Sequence, residues 1–207
     1  DLWYLVGLIA TDGCLSSDGR HINIISKDKQ ILRDVLKALH LDIKIGKKTG
    51  GRGFRRRTLS SYIQIGSVSF YKFLLNVGLT PRKTYTLSKL CIPIEYFEDF
   101  FRGVIDGDGC IYSWIHASNG RRQWSLRISS ASPAFVEWLE KEIEEKFGVV
   151  GRLHVEPPRR AGRNYLYIVK FGKVAAKKIL KEFYYAGCLS LERKKRRAID
   201  SMNSTEG

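Results

Sequence analysis

Two stretches of the chain, GLIATDGC at residues 7–14 and GVIDGDGC at residues 103–110, agree at five of eight positions. Each closes an apolar run, LWYLVGLIAT (2–11) in the first case and YFEDFFRGVID (96–106) in the second. A helix that is apolar on every side has to be buried on every side, and Asp-Gly directly after such a run stops it. Two helices of this kind point to a duplicated unit whose copies bury them against each other. Gly7 and Gly103 lie inside these runs, where glycine costs about 1 kcal/mol relative to alanine. Close, backbone-to-backbone packing of the two helices offsets that cost. It also brings Asp12 and Asp108 to the same end of the pair.

The elements after each motif repeat in the same order. After the first come a turn at 16–19, a β-branched strand HINIIS (21–26), and the stretch SKDKQILRDVLKAL (26–39). That stretch predicts a Ser-capped helix with an apolar face of Ile31, Leu32, Val35, Leu36 and Leu39. The basic GRGFRRR (51–57) opens a hairpin returning on SSYIQIG (60–66), then SVSFYKFLLNVGL (67–79) predicts a further helix and TPRKTYTL (80–87) closes the half. The second half offers strands around IYSWIH (111–116) and WSLRIS (124–129) and a Ser-capped helix SPAFVEWLEKEIEEKFG (132–148). A basic hairpin VEPPRRAGRNYLYIVKFG (155–172), a helix VAAKKILKEFYYAG (174–187) and a basic tail LERKKRRA (191–198) complete it. The fold class expected is α+β, two αββαββα repeats. The first repeat spans residues 1–87, a linker 88–96 contains Pro93, the second repeat spans 97–200, and 201–207 form a tail.

Charge narrows the partner. Lys and Arg total 36 against 21 Asp and Glu, a net +15 in 207 residues, and such an excess favours a polyanion whose counterions are released on contact. No apolar stretch approaches the roughly 20 residues of a membrane span, and no signal peptide is visible. Cys14, Cys91, Cys110 and Cys188 form no Cys-x-x-Cys pair, which argues against a zinc finger. They read as small buried residues in a reducing intracellular compartment, with secretion not expected.

The two carboxylates supply the chemistry. The C-terminal end of a helix carries partial negative charge, so Asp12 and Asp108 together repel each other and attract a cation. Oxygen ligands in small number suit Mg²⁺, which keeps several waters and takes substrate phosphates to complete its shell. In a basic protein this predicts metal-assisted phosphodiester hydrolysis, and a pseudo-twofold pair of sites predicts cutting of both strands of a duplex.

The chain resembles the LAGLIDADG homing endonucleases in their single-chain, two-repeat form, with LVGLIATDG (5–13) and FRGVIDGDG (101–109) as the name motifs. The resemblance implies a sequence-specific double-strand DNA endonuclease, intron- or intein-associated and monomeric, with the last Asp of each motif, Asp12 and Asp108, as metal ligand. Ca²⁺ or Mn²⁺ is expected to substitute for Mg²⁺ in binding or catalysis. The motif's earlier acid is Asp106 in the second copy and Ala10 in the first. The resemblance further implies catalytic roles for Lys83 and Lys194, reaching toward the scissile phosphates. Lys27 and Ser130 fall just before the first amphipathic helix of each half and order the site's waters; paired in that way they are unlike, which predicts unequal cutting of the two strands.

The same resemblance lays both sheets along the DNA major groove. Strand alternation then assigns Ser16, Arg20, Arg55, Arg57 and Gln64 of the first half to the duplex. From the second half it assigns Tyr112, Trp114, His116, Gln123, Ser125, Arg127 and Lys170. Arg52 in one hairpin tip and Arg159, Arg160 and Arg163 in the other are expected on phosphates. Two other functions fit the same fold: an intron RNA maturase, and a DNA-binding regulator without catalysis.

Overall fold

The structure is a computed structural model that describes residues 1–50, 58–158, 162 and 164–204. In chain order the first half contains α1 (Leu2–Asp12), β1 (Gly13–Leu15), β2 (His21–Ser26), α2 (Lys29–Ala38), β3 (Gly46–Gly50), β4 (Thr58–Gly66) and α3 (Val68–Val77). Short 3₁₀ turns at Lys83–Tyr85 and Ile94–Tyr96 lead to the second half. It contains α4 (Phe97–Asp108), β5 (Gly109–Ile115), β6 (Arg122–Ser130), α5 (Pro133–Phe147), β7 (Arg152–Glu156), β8 (Leu166–Phe171), α6 (Lys173–Phe183) and α7 (Glu192–Asn203). Each half contains the expected αββαββα, with α7 added at the end of the second, and each builds a four-stranded antiparallel sheet, in the orders β1-β2-β4-β3 and β5-β6-β8-β7.

Alternation of apolar residues fixes which face of each sheet meets the helices. Ile22 and Ile24 of β2 pair with Ile65 and Ile63 of β4, and all four are buried. In the second sheet Leu126 and Ile128 of β6 pair with Phe171 and Val169 of β8, again buried. A one-residue slip would turn these sets to solvent, so the apolar pattern itself sets the register. α1 and α4 pack against each other at the centre, with Tyr4 through Ala10 of α1 buried without interruption. A single apolar core runs through both halves.

Three local expectations change. α2 is capped by Asp28, whose side chain accepts from the Gln30 amide, and not by Ser26; the latter accepts from the Asp28 amide one step earlier. Ser132 precedes α5 but does not cap it: its hydroxyl donates to the Leu87 carbonyl in the other half. The sequence LERKKRRA is no tail but the start of α7, a helix that continues through Ser201 to Asn203. Lys194, Ala198 and Ser201 are buried along one of its faces. Its charges hide that face, because the buried positions are a lysine and two small residues rather than large apolar ones.

Ser132 is thus a fastener between repeats, and Ser132→Ala leaves the buried Leu87 carbonyl without a partner. An unpaired buried acceptor costs about 1–3 kcal/mol, so the melting temperature should fall by several degrees. A melting curve that matches wild type would show that this bond contributes nothing.

Candidate active site and nucleic-acid face

The two motif helices touch through their glycines. A Cβ on Gly7 would lie 2.9 Å from Gly103 Cα and closer still to the Phe100 carbonyl oxygen. One on Gly103 would lie 3.0 Å from Gly7 Cα and closer to the Tyr4 carbonyl oxygen. Only hydrogen fits at either position. Gly13 and Gly109 then turn into extended backbone and start β1 and β5. Asp12 and Asp108 therefore sit at the junction of helix and sheet, on the same end of the helix pair.

Both carboxylates reach solvent, and among the described residues neither accepts a hydrogen bond or an ion pair. The surrounding protein still strips water from them. Desolvation is the main reason the Asp108 carboxyl is pushed up to about 6, and the charge of Asp12 adds to it. Asp12 is also raised by desolvation, while Lys194, Lys83 and Arg193 hold it down. Mutual repulsion of two acids that the nearby Lys194 and Lys83 offset only in part is the condition that a hard divalent cation relieves. Among the described residues no cluster of three or more His, Cys, Asp or Glu is present. The donor set is thus two carboxylates, which suits Mg²⁺ with waters and phosphate oxygens as its remaining ligands. A cleft of about 680 Å³ opens beside Asp12, lined also by Ser26, Lys27, Asp28, Ser60, Asp106 and Arg193.

Lys83 and Lys194 come to this place from behind. Lys83 Nζ donates to the Gly13 carbonyl at 2.6 Å, just past the end of α1. Lys194 Nζ donates to the carbonyls of Ile105 at 2.6 Å, Asp106 at 2.8 Å and Gly107 at 3.3 Å, at the end of α4. Both are buried, at 7% and 4% exposure, so their ammonium groups rest on backbone carbonyls at the helix ends instead of lining the cleft. Burial lowers the Lys83 pKa and takes Lys194 down to about 8, against the opposing pull of nearby acids. Two cations on the negative ends of two helices also offset the helix dipoles.

Lys27 is exposed and lines the cleft, but it is not the counterpart of Ser130. Ser26 and Ser130 each end the second strand of their half and each accepts, at 3.1 Å, from the backbone amide two residues on. The register agrees, since Gly13 faces Ile24 as Gly109 faces Ile128. The matching pair is serine with serine, and Lys27 corresponds to Ala131. The inequality between halves at this point is therefore a lysine against an alanine.

The outer faces of the sheets are largely as expected. In the first, Gln64 is exposed and pairs with Asn23 of β2, while Ser16 is half-buried and accepts from Asn23 Nδ2 at 3.3 Å. Arg20 is exposed in the turn before β2. In the second, Tyr112, Trp114, Gln123, Arg127 and Lys170 share one face, and His116 is exposed just beyond β5. Tyr112 and Trp114 stack at 5.6 Å, the Arg127 guanidinium lies 5.7 Å from the Tyr112 ring centre and Lys170 Nζ 5.9 Å from that of Trp114. Ser125 faces the same way yet is fully buried beneath its neighbours, so it is not available to a duplex in this conformation. Arg52, Arg55, Arg57, Arg159, Arg160 and Arg163 lie outside the described residues.

Asn23, Arg152 and His154 also lie on these outer faces; the pairing Arg152 with Lys170 places the β7 pair. Two-residue alternation would have found all three once β2 and β7 had been given their facing. Arg193, beside Asp12, lay hidden in the stretch read as a tail. Of the four cysteines only Cys188 is buried; Cys14, Cys91 and Cys110 are exposed and all four are free, which corrects the expectation of buried thiols.

Among solved structures the chain is similar to the homing endonuclease I-WcaI bound to its DNA recognition sequence, with a TM-score of 0.68 at 12% identity over 94% of this chain and 84% of that one. It is similar to the LAGLIDADG homing endonuclease I-GzeII in complex with its DNA target, with a TM-score of 0.60 at 12% identity over 97% and 88%. Full-length WhiA from Thermatoga maritima gives a TM-score of 0.57 at 13% identity over 100% of this chain, which spans 61% of that longer one. No curated protein sequence matches. The likeness at such identities is one of fold. A sequence model of the LAGLIDADG-like domain matches residues 1–78 and again 97–184. Those two spans take in both motif helices and both sheets, and they make the chain a member of the LAGLIDADG family.

Proposed function

We propose that this protein is a site-specific endonuclease of double-stranded DNA that hydrolyses one phosphodiester in each strand of a long target. The observation that carries this reading is the pair Asp12 and Asp108: both present, unpaired and close enough that one raises the pKa of the other. A protein that only binds DNA gains nothing from a repelling pair at its centre. Asp12 and Asp108 would hold Mg²⁺, whose chemistry there would be polarisation of a phosphate oxygen and acidification of an attacking water. The chain's own residues do the rest. The two sheet faces hold the duplex in the major groove, the motif helices fix the spacing of the carboxylates, and Lys83 and Lys194 hold the helix ends beneath them. One polypeptide supplies both sites, which fits a monomer, and four free thiols fit a reducing compartment. Service to the mobility of an intron or intein is part of the same proposal.

The likeness to WhiA, whose name is not that of an endonuclease, gives a second reading: DNA binding on this fold without cleavage. Selection from randomised duplexes would identify the target. Incubation of a plasmid carrying it with Mg²⁺, or with chelator, then separates the readings. Linear product with the metal alone supports the nuclease; tight binding with intact plasmid supports the regulator. An intron-splicing assay tests a maturase role.

Either reading requires Arg127 and Lys170 to face DNA. If they meet phosphates, replacing each with alanine should reduce the slope of log K against log salt by about 1. An unchanged slope in the double variant would mean that neither side chain meets a phosphate.

A further inference from the structure

We infer that Asp106 is a positioning residue that sets Lys194 in one of the two catalytic half-sites and has no counterpart in the other. This inference rests on the nuclease reading for its rate consequences and on geometry alone for its placement. Asp106 is only 4% exposed, and its carboxylate collects three donors from three parts of the chain. Tyr4 Oη of α1 donates to Oδ2 at 2.8 Å, Tyr184 Oη just after α6 donates to Oδ1 at 2.6 Å, and the Leu191 amide donates to Oδ2 at 2.6 Å. Leu191 is the N-cap residue of α7, and no side chain of its own caps that helix. Asp106 thus does from α4 what the acid at the third helical position of a capping box does within a helix: it accepts from the N-cap amide.

The need for an anion here comes from the neighbouring cations. Arg193 and Lys194 stand in the first turn of α7, where the helix dipole already places positive charge. Asp106 lies against that turn while the Lys194 ammonium takes three carbonyls at the end of α4. The start of α7 and the end of α4 are therefore stitched twice, once by the carboxylate and once by the amine. In the first repeat Ala10 occupies the position of Asp106, and among the described residues Lys83 has one carbonyl, that of Gly13, as its partner. Each lysine holds the end of its motif helix, Lys83 one step past it and Lys194 within its last turn, with unequal support.

The test uses the full chain with Asp106→Ala, Asp106→Asn and Tyr184→Phe, the last keeping the carboxylate should Asp106→Ala fail to fold. Amide hydrogen exchange reads the cap directly. Exchange at residues 191–195 should quicken by about tenfold in Asp106→Ala, the size of a lost cap, and less in the other two, while α2 stays unchanged. Single-turnover nicking of the selected target, with each strand labelled separately, reads the consequence. Asp106→Ala should slow the strand that Lys194→Met slows, by about tenfold to a hundredfold, and leave the other strand near wild type. On that strand it should add nothing to Lys194→Met, whereas combined with Lys83→Met it should leave each strand with the loss of its own single variant. Unaltered exchange at 191–195, equal slowing of both strands, or a full multiplicative loss on top of Lys194→Met each overturns the assignment. A wild-type protein that cuts neither strand overturns the nuclease reading instead, and the exchange measurement still decides the cap.

Discussion

Asp108→Asn is expected to abolish double-strand cutting, bind the target about as well as wild type, and melt at a higher temperature in metal-free buffer. Loss of a residue that merely supports a metal ligand typically reduces affinity or activity about 10–100-fold; loss of a ligand itself should exceed that. On the proposed reading the duplex meets the sheets, so removing one negative charge from the cleft should not weaken binding. The gain in stability comes from the folded state's dislike of the charge. Desolvation, with the charge of Asp12 added, pushes the Asp108 carboxyl up to about 6 from an ordinary 3.8. Between those values the folded protein holds a proton that the unfolded chain releases, so wild-type stability falls as pH rises from about 4 to about 6. Asparagine removes that loss, and the variant's melting temperature should be flatter over the same range. Asp12→Asn should show the same inactivity. Linear product from both single variants would dismiss the metal assignment, and a lower melting temperature for Asp108→Asn would dismiss the strain.

The parts of this site that could be read from the sequence are those carried by a repeated or periodic signal. The motif helices, their glycines and the paired acids announce themselves by duplication. The sheets come from alternation, which is also why Tyr112, Trp114, Arg127 and Lys170 were placed on a common face. The misreadings share a different cause: a polar side chain that serves a distant partner. Ser132 looks like a cap and instead donates to Leu87. Ser125 lies on the right face but under its neighbours, because large side chains on adjacent strands fold over a small one. α7 looked like a basic tail since its buried face is made of Lys194, Ala198 and Ser201, and the carbonyls that make a buried lysine tolerable belong to α4. Arg102 is the extreme case. It is fully buried on α4, and donates to Leu189, Phe183 and Asp99 while lying over the rings of Tyr4 and Tyr185. Nothing in the local sequence distinguishes it from an exposed arginine.

Gly103→Ala is expected to lower both stability and cleavage, although alanine is the better helix former. Intrinsic propensity favours the substitution by about 1 kcal/mol. Against that, the added methyl meets the backbone of α1, with Gly7 Cα and the Leu8 amide nitrogen both at 3.0 Å and the Tyr4 carbonyl oxygen nearer still. Backbone of a buried helix cannot rotate aside as a side-chain tip can, so the helices must separate. Overpacking of this kind costs typically about 1–3 kcal/mol, and a clash on backbone belongs at the upper end or beyond. The net loss should therefore exceed about 1 kcal/mol. In a protein of this size each kcal/mol corresponds to about 2–4 °C in melting temperature. The same separation pulls Asp12 from Asp108, and a shift of about 1 Å at a reacting centre can reduce rate about a hundredfold. Gly172→Ala is the comparison, since Gly172 has an ordinary backbone angle of −74° and nothing within 4 Å of the added atom, and as the N-cap of α6 it should lose only about 1 kcal/mol or less. Melting curves and single-turnover cleavage for both variants decide the matter. If Gly103→Ala melts at or above the comparison and cuts as fast, the helices have room between them, and the glycine repeated in both motifs has some other purpose than bringing two aspartates together.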